Sequence, residues 1–271
     1  MGSSPIGHPT SPRKWQAPQL DCGGTSGAAC AALTSAALAQ MGANVSGAIE
    51  GRDPEYLHQL RVGIRRCRTV LRVFKAGRLE RRLRKLTRAL GEARDWDVFV
   101  ARFKKGKARR RLAHARCRAV LSSGEFRAFF VEAQNWAREW SRVAEPRLVV
   151  FAAKALSRLH HKALKRARHI DWHDEEGRHA VRIAARRLRY ACDFFSPCFR
   201  DARRYVRGLA DLQDLLGELN DIAVARRFKG PAGALDRRER ALISELAPAW
   251  KAFAKRRRFW TDTGKPAAAA R

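Results

Sequence analysis

Apolar residues recur along most of this chain at intervals of three and four, the period of a helix advancing about 100° per residue with one buried face. The clearest stripe is Leu57, Leu60, Ile64, Cys67, Leu71 and Phe74, and a second is Val181, Ala185, Leu188, Cys192 and Phe195. Leu79, Leu83, Leu86 and Leu90 mark a further helix, and weaker patterns predict helices over 27–49, 107–121, 125–142, 146–169, 200–216 and 235–258. Start signals agree with the stripes. Asp53 stands where an N-cap belongs, with Pro54 in the first helical position and Glu55 at the positive helix end; Asp174 and Glu176 hold the matching places before the second stripe. No stretch alternates with period two, so no sheet is expected. Pro5, Pro9, Pro12 and Pro18 lie among Ser, Gly and Thr, which reads as a disordered tail over 1–22, with another over 261–271.

Beside each apolar stripe runs a basic one. His58, Arg61, Arg65, Arg68 and Arg72 share one helix face next to the buried seam, and His179, Arg182, Arg186 and Arg189 do the same in the second copy. The two copies align at one constant offset, which also brings Arg66 onto Arg187 and Phe74 onto Phe195. A second motif pair, Leu90-Gly91-Glu92-Ala93-Arg94-Asp95 and Leu216-Gly217-Glu218-Leu219-Asn220-Asp221, follows in the same order in each half.

The composition sharpens this. The 271 residues hold 57 Lys and Arg against 26 Asp and Glu, a formal charge of +31. A field that positive concentrates polyanions without choosing among nucleic acid, polyphosphate and an anionic surface. Between Pro54 and Leu90 twelve basic residues face two acids, Glu55 and Glu80, so internal pairing is not expected to neutralise the region. A guanidinium presents a planar fork of donors suited to phosphate oxygens, and rows one turn apart suit a linear phosphate chain. The bland alternative, a solvated helix face, does not explain why the spacing is repeated.

The pattern H-x-x-R-V/I-x-x-R-R-x-R, given twice and followed twice by the aspartate motif, resembles the CHAD family, the conserved-histidine α-helical domain. The resemblance implies non-catalytic binding of long-chain inorganic polyphosphate and association with cytoplasmic polyphosphate granules. The expected architecture is all-α, two pseudo-symmetric antiparallel four-helix bundles over 23–144 and 145–260, whose arginine helices face one another and line a basic central groove. Expected ligand contacts are His58, Arg61, Arg65, Arg68, Arg72, His179, Arg182, Arg186 and Arg189, with Arg81, Lys85, Lys162, Lys165 and Arg166 as a second tier. For the two histidines a buried structural hydrogen bond competes almost equally with ligand contact.

Two other functions compete with this one. A nucleic-acid binder fits the charge, but the rows lack interleaved aromatics for base stacking and helix-turn-helix spacing, so only weak non-specific binding is expected. A metal-dependent polyphosphate or triphosphate hydrolase would use His173, Asp174 and Asp221. Asp174 already serves as a helix start, however, and Asn220 and Ala223 replace Arg94 and Asp97 in the second aspartate motif. Asp95 and Asp221 therefore read as helix caps or arginine partners. No phosphate-binding glycine loop, zinc spacing or nucleophile elbow is present, so neither enzyme activity nor a cofactor or metal is expected. Six cysteines without C-x-x-C spacing read as small hydrophobes in a reducing cytosol, with no disulfide framework. No apolar run is read as long enough to span a bilayer, so no membrane partner is expected.

Overall fold

The computed structural model describes residues 11–142, 146–228 and 232–261. Among them the chain is all-α, without strands and with one isolated bridge between Thr25 and Arg147. It divides into two compact units, Met1–Gln19 with Gly27–Val143, and Leu20–Ser26 with Ala144–Arg271. Of the expected tails, 1–10 and 262–271 lie outside the described residues. Residues 11–22 lack regular structure, but Trp15 stacks against the Arg66 guanidinium at 4.9 Å.

The first unit contains α1 (Ser26–Ala43), α2 (Val45–Glu50), α3 (Pro54–Val73), α4 (Gly77–Leu86), α5 (Ala89–Phe103), α6 (Lys107–Leu121) and α7 (Gly124–Ser141). The single helix expected over 27–49 is interrupted at buried Asn44. Its side-chain amide donates to the carbonyls of Gln40 and Arg13, at 2.7 and 2.9 Å, and its oxygen accepts from the Arg13 N–H. A side chain bonding to backbone competes with the helical ladder, which accounts for the break. α3 crosses α1 at Gly63, where a Cβ would come within 3.1 Å of Met41 Cγ. Gln40 donates to Gln59, and Gln59 to Glu55, which fixes the register of that crossing. Around it Leu33, Met41, Leu57, Leu60, Leu71, Phe74, Phe126 and Phe129 are fully buried.

The expected helix over 79–90 ends at Leu86 instead, and the chain resumes as α5. Thr87 Oγ1 donates to the Leu83 carbonyl at 2.7 Å, satisfying one of the last-turn acceptors. α5 is fastened to α6 by Asp97, 4% exposed, whose Oδ1 accepts from Arg110 Nε at 2.6 Å and lies 2.8 Å from His114 Nε2.

The second unit contains α8 (Leu148–Ala167), α9 (Glu175–Phe195), a short 3-10 turn (Ser196–Cys198), α10 (Ala202–Arg227) and α11 (Ala232–Ala254). Each long helix packs on the next. α10 does not stop near 216 as expected but runs through the second aspartate motif. The stripe Leu209, Leu212, Leu216, Leu219 and Ile222 stays in phase and buried, and no capping side chain interrupts it as Thr87 does in the first unit. The reading of all six cysteines as reduced hydrophobes is overturned by a disulfide between Cys22 and Cys198. They are 176 positions apart in the sequence, so only folding brings them together, as backbone bonds from Leu148 to Gly24 and from Ser26 to Pro146 seat residues 20–26 in this unit. Cys30, Cys67, Cys117 and Cys192 are buried thiols as read, and burial pushes the first three up to about 12.

The stretch Ser26–Glu50 is long and apolar enough, by composition, to cross a membrane, at a mean hydropathy of 1.2. The expectation that no run reaches this length weighed only its few strongly apolar residues; the alanines raise the mean. Half of it is buried within the protein.

Candidate functional site

Asp53 Oδ1 accepts from the Glu55 N–H at 2.8 Å and Asp174 from the N–H groups of Glu176 and Gly177, so both arginine helices begin at a side-chain cap. With its start set, each helix buries its apolar stripe, and the basic stripe falls along the margin of the core. His58, Arg61, Arg65, Arg68 and Arg72 are all half-buried on α3, as are Arg182, Arg186 and Arg189 on α9; His179 is exposed. The second-tier residues Arg81 and Lys85 on α4, and Lys162, Lys165 and Arg166 on α8, are exposed.

The two motifs of the first unit meet at Arg61. Its guanidinium lies over Gly91, where a Cβ would stand 3.2 Å from Nη1. Burial, then the charge of Arg65, pulls Arg61 down to about 10, while Asp95 opposes the shift. The group stays cationic at neutral pH. The glycine of the aspartate motif thus admits an arginine of the histidine motif, and Asp95 acts as a partner to arginine, one of the two roles read from the sequence.

At the far end of the row two of the arginines share an internal partner. Glu80, 4% exposed, accepts through one oxygen from Arg68 Nε and Nη2, at 2.8 and 2.6 Å, and from Arg72 Nη2 at 2.7 Å. Burial alone would raise the Glu80 carboxyl, but the hydrogen bonds from Arg68 and Arg72 outweigh it and hold the group below its ordinary value. One carboxylate serves two guanidiniums, so a net positive charge remains. Arg65, midway along the row, has no partner among the described residues for its guanidinium, and its Nε is buried. On α9, Arg189 donates to Asp193 one turn on, at 3.3 Å.

The histidines sit in related but unequal settings. Burial first, then the charge of Arg94, lowers His58 below the usual imidazole value, against a smaller opposing effect of Glu55. His179, exposed at its surface but with part of its ring covered, is lowered likewise by that partial burial and then by Arg182, and a hydrogen bond with Asn220 opposes them. Arg94 and Asn220 occupy the same place in the two aspartate motifs, so one of the substitutions between the copies falls directly on the histidine's neighbour. The exchange is visible in the repeat alignment, but its link to the histidines is made only by the packing. Glu80 was missed because its partners lie twelve and eight residues away, and only the return of α4 along α3 brings them together.

His173, Asp174 and Asp221, the residues a metal-dependent hydrolase would need, do not form a ligand set: among the described residues no group of three or more His, Cys, Asp or Glu could hold an ion. Asp174 is committed to the α9 cap.

An all-α chain carrying two capped, half-buried arginine rows, each headed by a histidine and each beside an aspartate-motif helix, defines a class of basic helical domain suited to anions. A sequence model of the CHAD domain matches residues 32–230, and the chain belongs to the CHAD family. It is also similar to the crystal structure of the CHAD domain from the plant Ricinus communis, at 28% identity and a TM-score of 0.75, over 93% of this chain and 99% of that one. None of the curated proteins matches it.

Proposed function

We propose that this protein binds long-chain inorganic polyphosphate without catalysing its turnover, through the arginine rows of α3 and α9. The observation that carries the reading is the duplicated row itself, in which Glu80 takes up Arg68 and Arg72 and leaves the half-buried Arg65 with an Nε that has no partner among the described residues. Holding such groups at the edge of a core without an internal counter-charge is costly, and a polyanion supplies the missing acceptors. Family membership supports the same reading. Association with polyphosphate granules rests on the resemblance alone, and the Cys22–Cys198 pairing weighs against a reducing cytoplasm.

The decisive measurement is a salt-titrated affinity for polyphosphate, double-stranded DNA and short phosphates side by side. Polyphosphate affinity should fall steeply with salt, as counterion release requires, and Arg65→Glu with Arg186→Glu should weaken it at least tenfold at fixed salt. Unchanged affinity in the folded double variant, or displacement of polyphosphate by DNA of equal charge at equal concentration, would defeat the proposal. Orthophosphate release on adding magnesium or manganese would favour the hydrolase instead.

A further inference from the structure

The second unit holds a cleft of about 1080 Å³ whose lining includes no residue of either arginine row. One wall is the start of α10, where Arg203, Arg204 and Arg207 fall within the first two turns, with Arg200 just ahead of the helix. The other wall is the chain just after α11, carrying Lys255, Arg256 and Arg257. Asp201 is the one acid in the lining. Arg200, Arg203, Arg204, Arg207 and Lys255 form no ion pair among the described residues, in contrast to Arg68 and Arg72.

The cleft is built rather than incidental. Arg256 lies flat against Gly208, where a Cβ would come within 2.4 Å of its Cζ, and its Nη1 donates to the Arg204 carbonyl at 2.6 Å. Glycine at 208 is what lets this guanidinium reach the wall of α10. The floor is Tyr205 and Phe259, ring centroids 5.6 Å apart. It is locked by the Tyr205 hydroxyl against His160 Nδ1 at 2.8 Å, by Trp260 donating to Ser157 at 2.9 Å, and by Phe199 against Phe259. Phe199 directly follows the disulfide-bonded Cys198, so that covalent tie also steadies the floor. The cations are therefore presented on a fixed aromatic base, beside the positive end of a 26-residue helix.

We infer that this cleft is a second anion site, lined by none of the residues of the arginine rows, which takes a compact oligophosphate. A single orthophosphate is too small to engage both walls of a space this large, whereas several linked phosphates span it and meet guanidiniums from each side. Such a ligand is either a free short oligophosphate or a run within a longer polymer. The assignment stands whether or not the rows bind polyphosphate.

Calorimetric titration of the full chain with tripolyphosphate tests it. Arg204→Glu with Arg207→Glu should weaken tripolyphosphate binding about tenfold or more, the loss of two charge-assisted contacts. The charge-matched Lys104→Glu with Lys105→Glu should leave it within about twofold. Equal affinity in the cleft variant, or an equal loss in the Lys104/Lys105 control, overturns the site. Because charge reversal can disturb folding, hydrogen exchange on the unaltered protein provides a second reading. Slowed exchange in 199–208 and 255–261 with tripolyphosphate identifies a free oligophosphate ligand. Slowing with long-chain polyphosphate alone identifies a polymer run, and slowing with neither refutes the inference.

Discussion

Glu80 is where stability and binding oppose each other most directly. Its carboxylate is buried between two guanidiniums, so Glu80→Gln removes the counter-charge while leaving Arg68 and Arg72 partly buried. Breaking a hydrogen-bonded charge in this way costs roughly 1–3 kcal/mol, and chemical denaturation should show a loss of that size. The same variant frees two more row arginines, so polyphosphate should bind it more tightly and restore much of the lost stability; a stability loss with no gain in affinity would place the ligand elsewhere. The histidines set a second, pH-dependent effect. Both are held below the ordinary imidazole value in the free protein, and a bound polyanion raises them, so binding takes up protons. Affinity should therefore be level at high pH, climb as pH falls through the bound-state value, and level again below the free-state value, which lies under 6.5. The climb amounts to about tenfold for each unit by which the ligand raises a histidine. Titration of His58→Gln with His179→Gln should flatten it.

At the level of elements, the caps and close crossings keep the rows at the core margin. Asp174 accepts two backbone N–H groups at the start of α9, and Asp174→Ala should cost about 1 kcal/mol of unfolding free energy. Its effect on polyphosphate affinity should be small, and any manganese-dependent phosphate release should be absent in both the original and the variant. The helices were legible from their stripes because an amphipathic face repeats at the helical period whatever it packs against. Their ends were less so. Asn44 breaks α1 from α2 and Thr87 separates α4 from α5 through side-chain bonds to the backbone, whereas α10 runs on through Leu216-Gly217 because its leucine stripe remains buried. Whether a polar residue bonds to its own helix or to solvent is settled by its surroundings, which a periodicity does not describe.

For the whole molecule, a charge of +31 stabilises neither unit by itself, and anions that screen it should raise the melting temperature of the intact chain. Superimposed on this is the Cys22–Cys198 bond, which ties the segment before α1 into the second unit. A bridge over so long a loop typically contributes about 2–5 kcal/mol. A reducing agent should therefore lower the melting temperature, and Cys22→Ser should reproduce the loss and become insensitive to reductant; identical melting with and without reductant would show the bond to be absent in solution.

The sequence alone determined the helices, the all-α class, the family and the two histidine-headed arginine rows, because each depends on residue types at fixed local spacing, and such spacing is already three-dimensional once a helix forms. Tertiary structure decided which of those charges are already answered. Glu80 reaches Arg68 and Arg72, Asn220 reaches His179, Cys22 finds Cys198, and the arginines of α10 face those after α11 only when separate helices pack, since these contacts join residues whose separation along the chain follows no period.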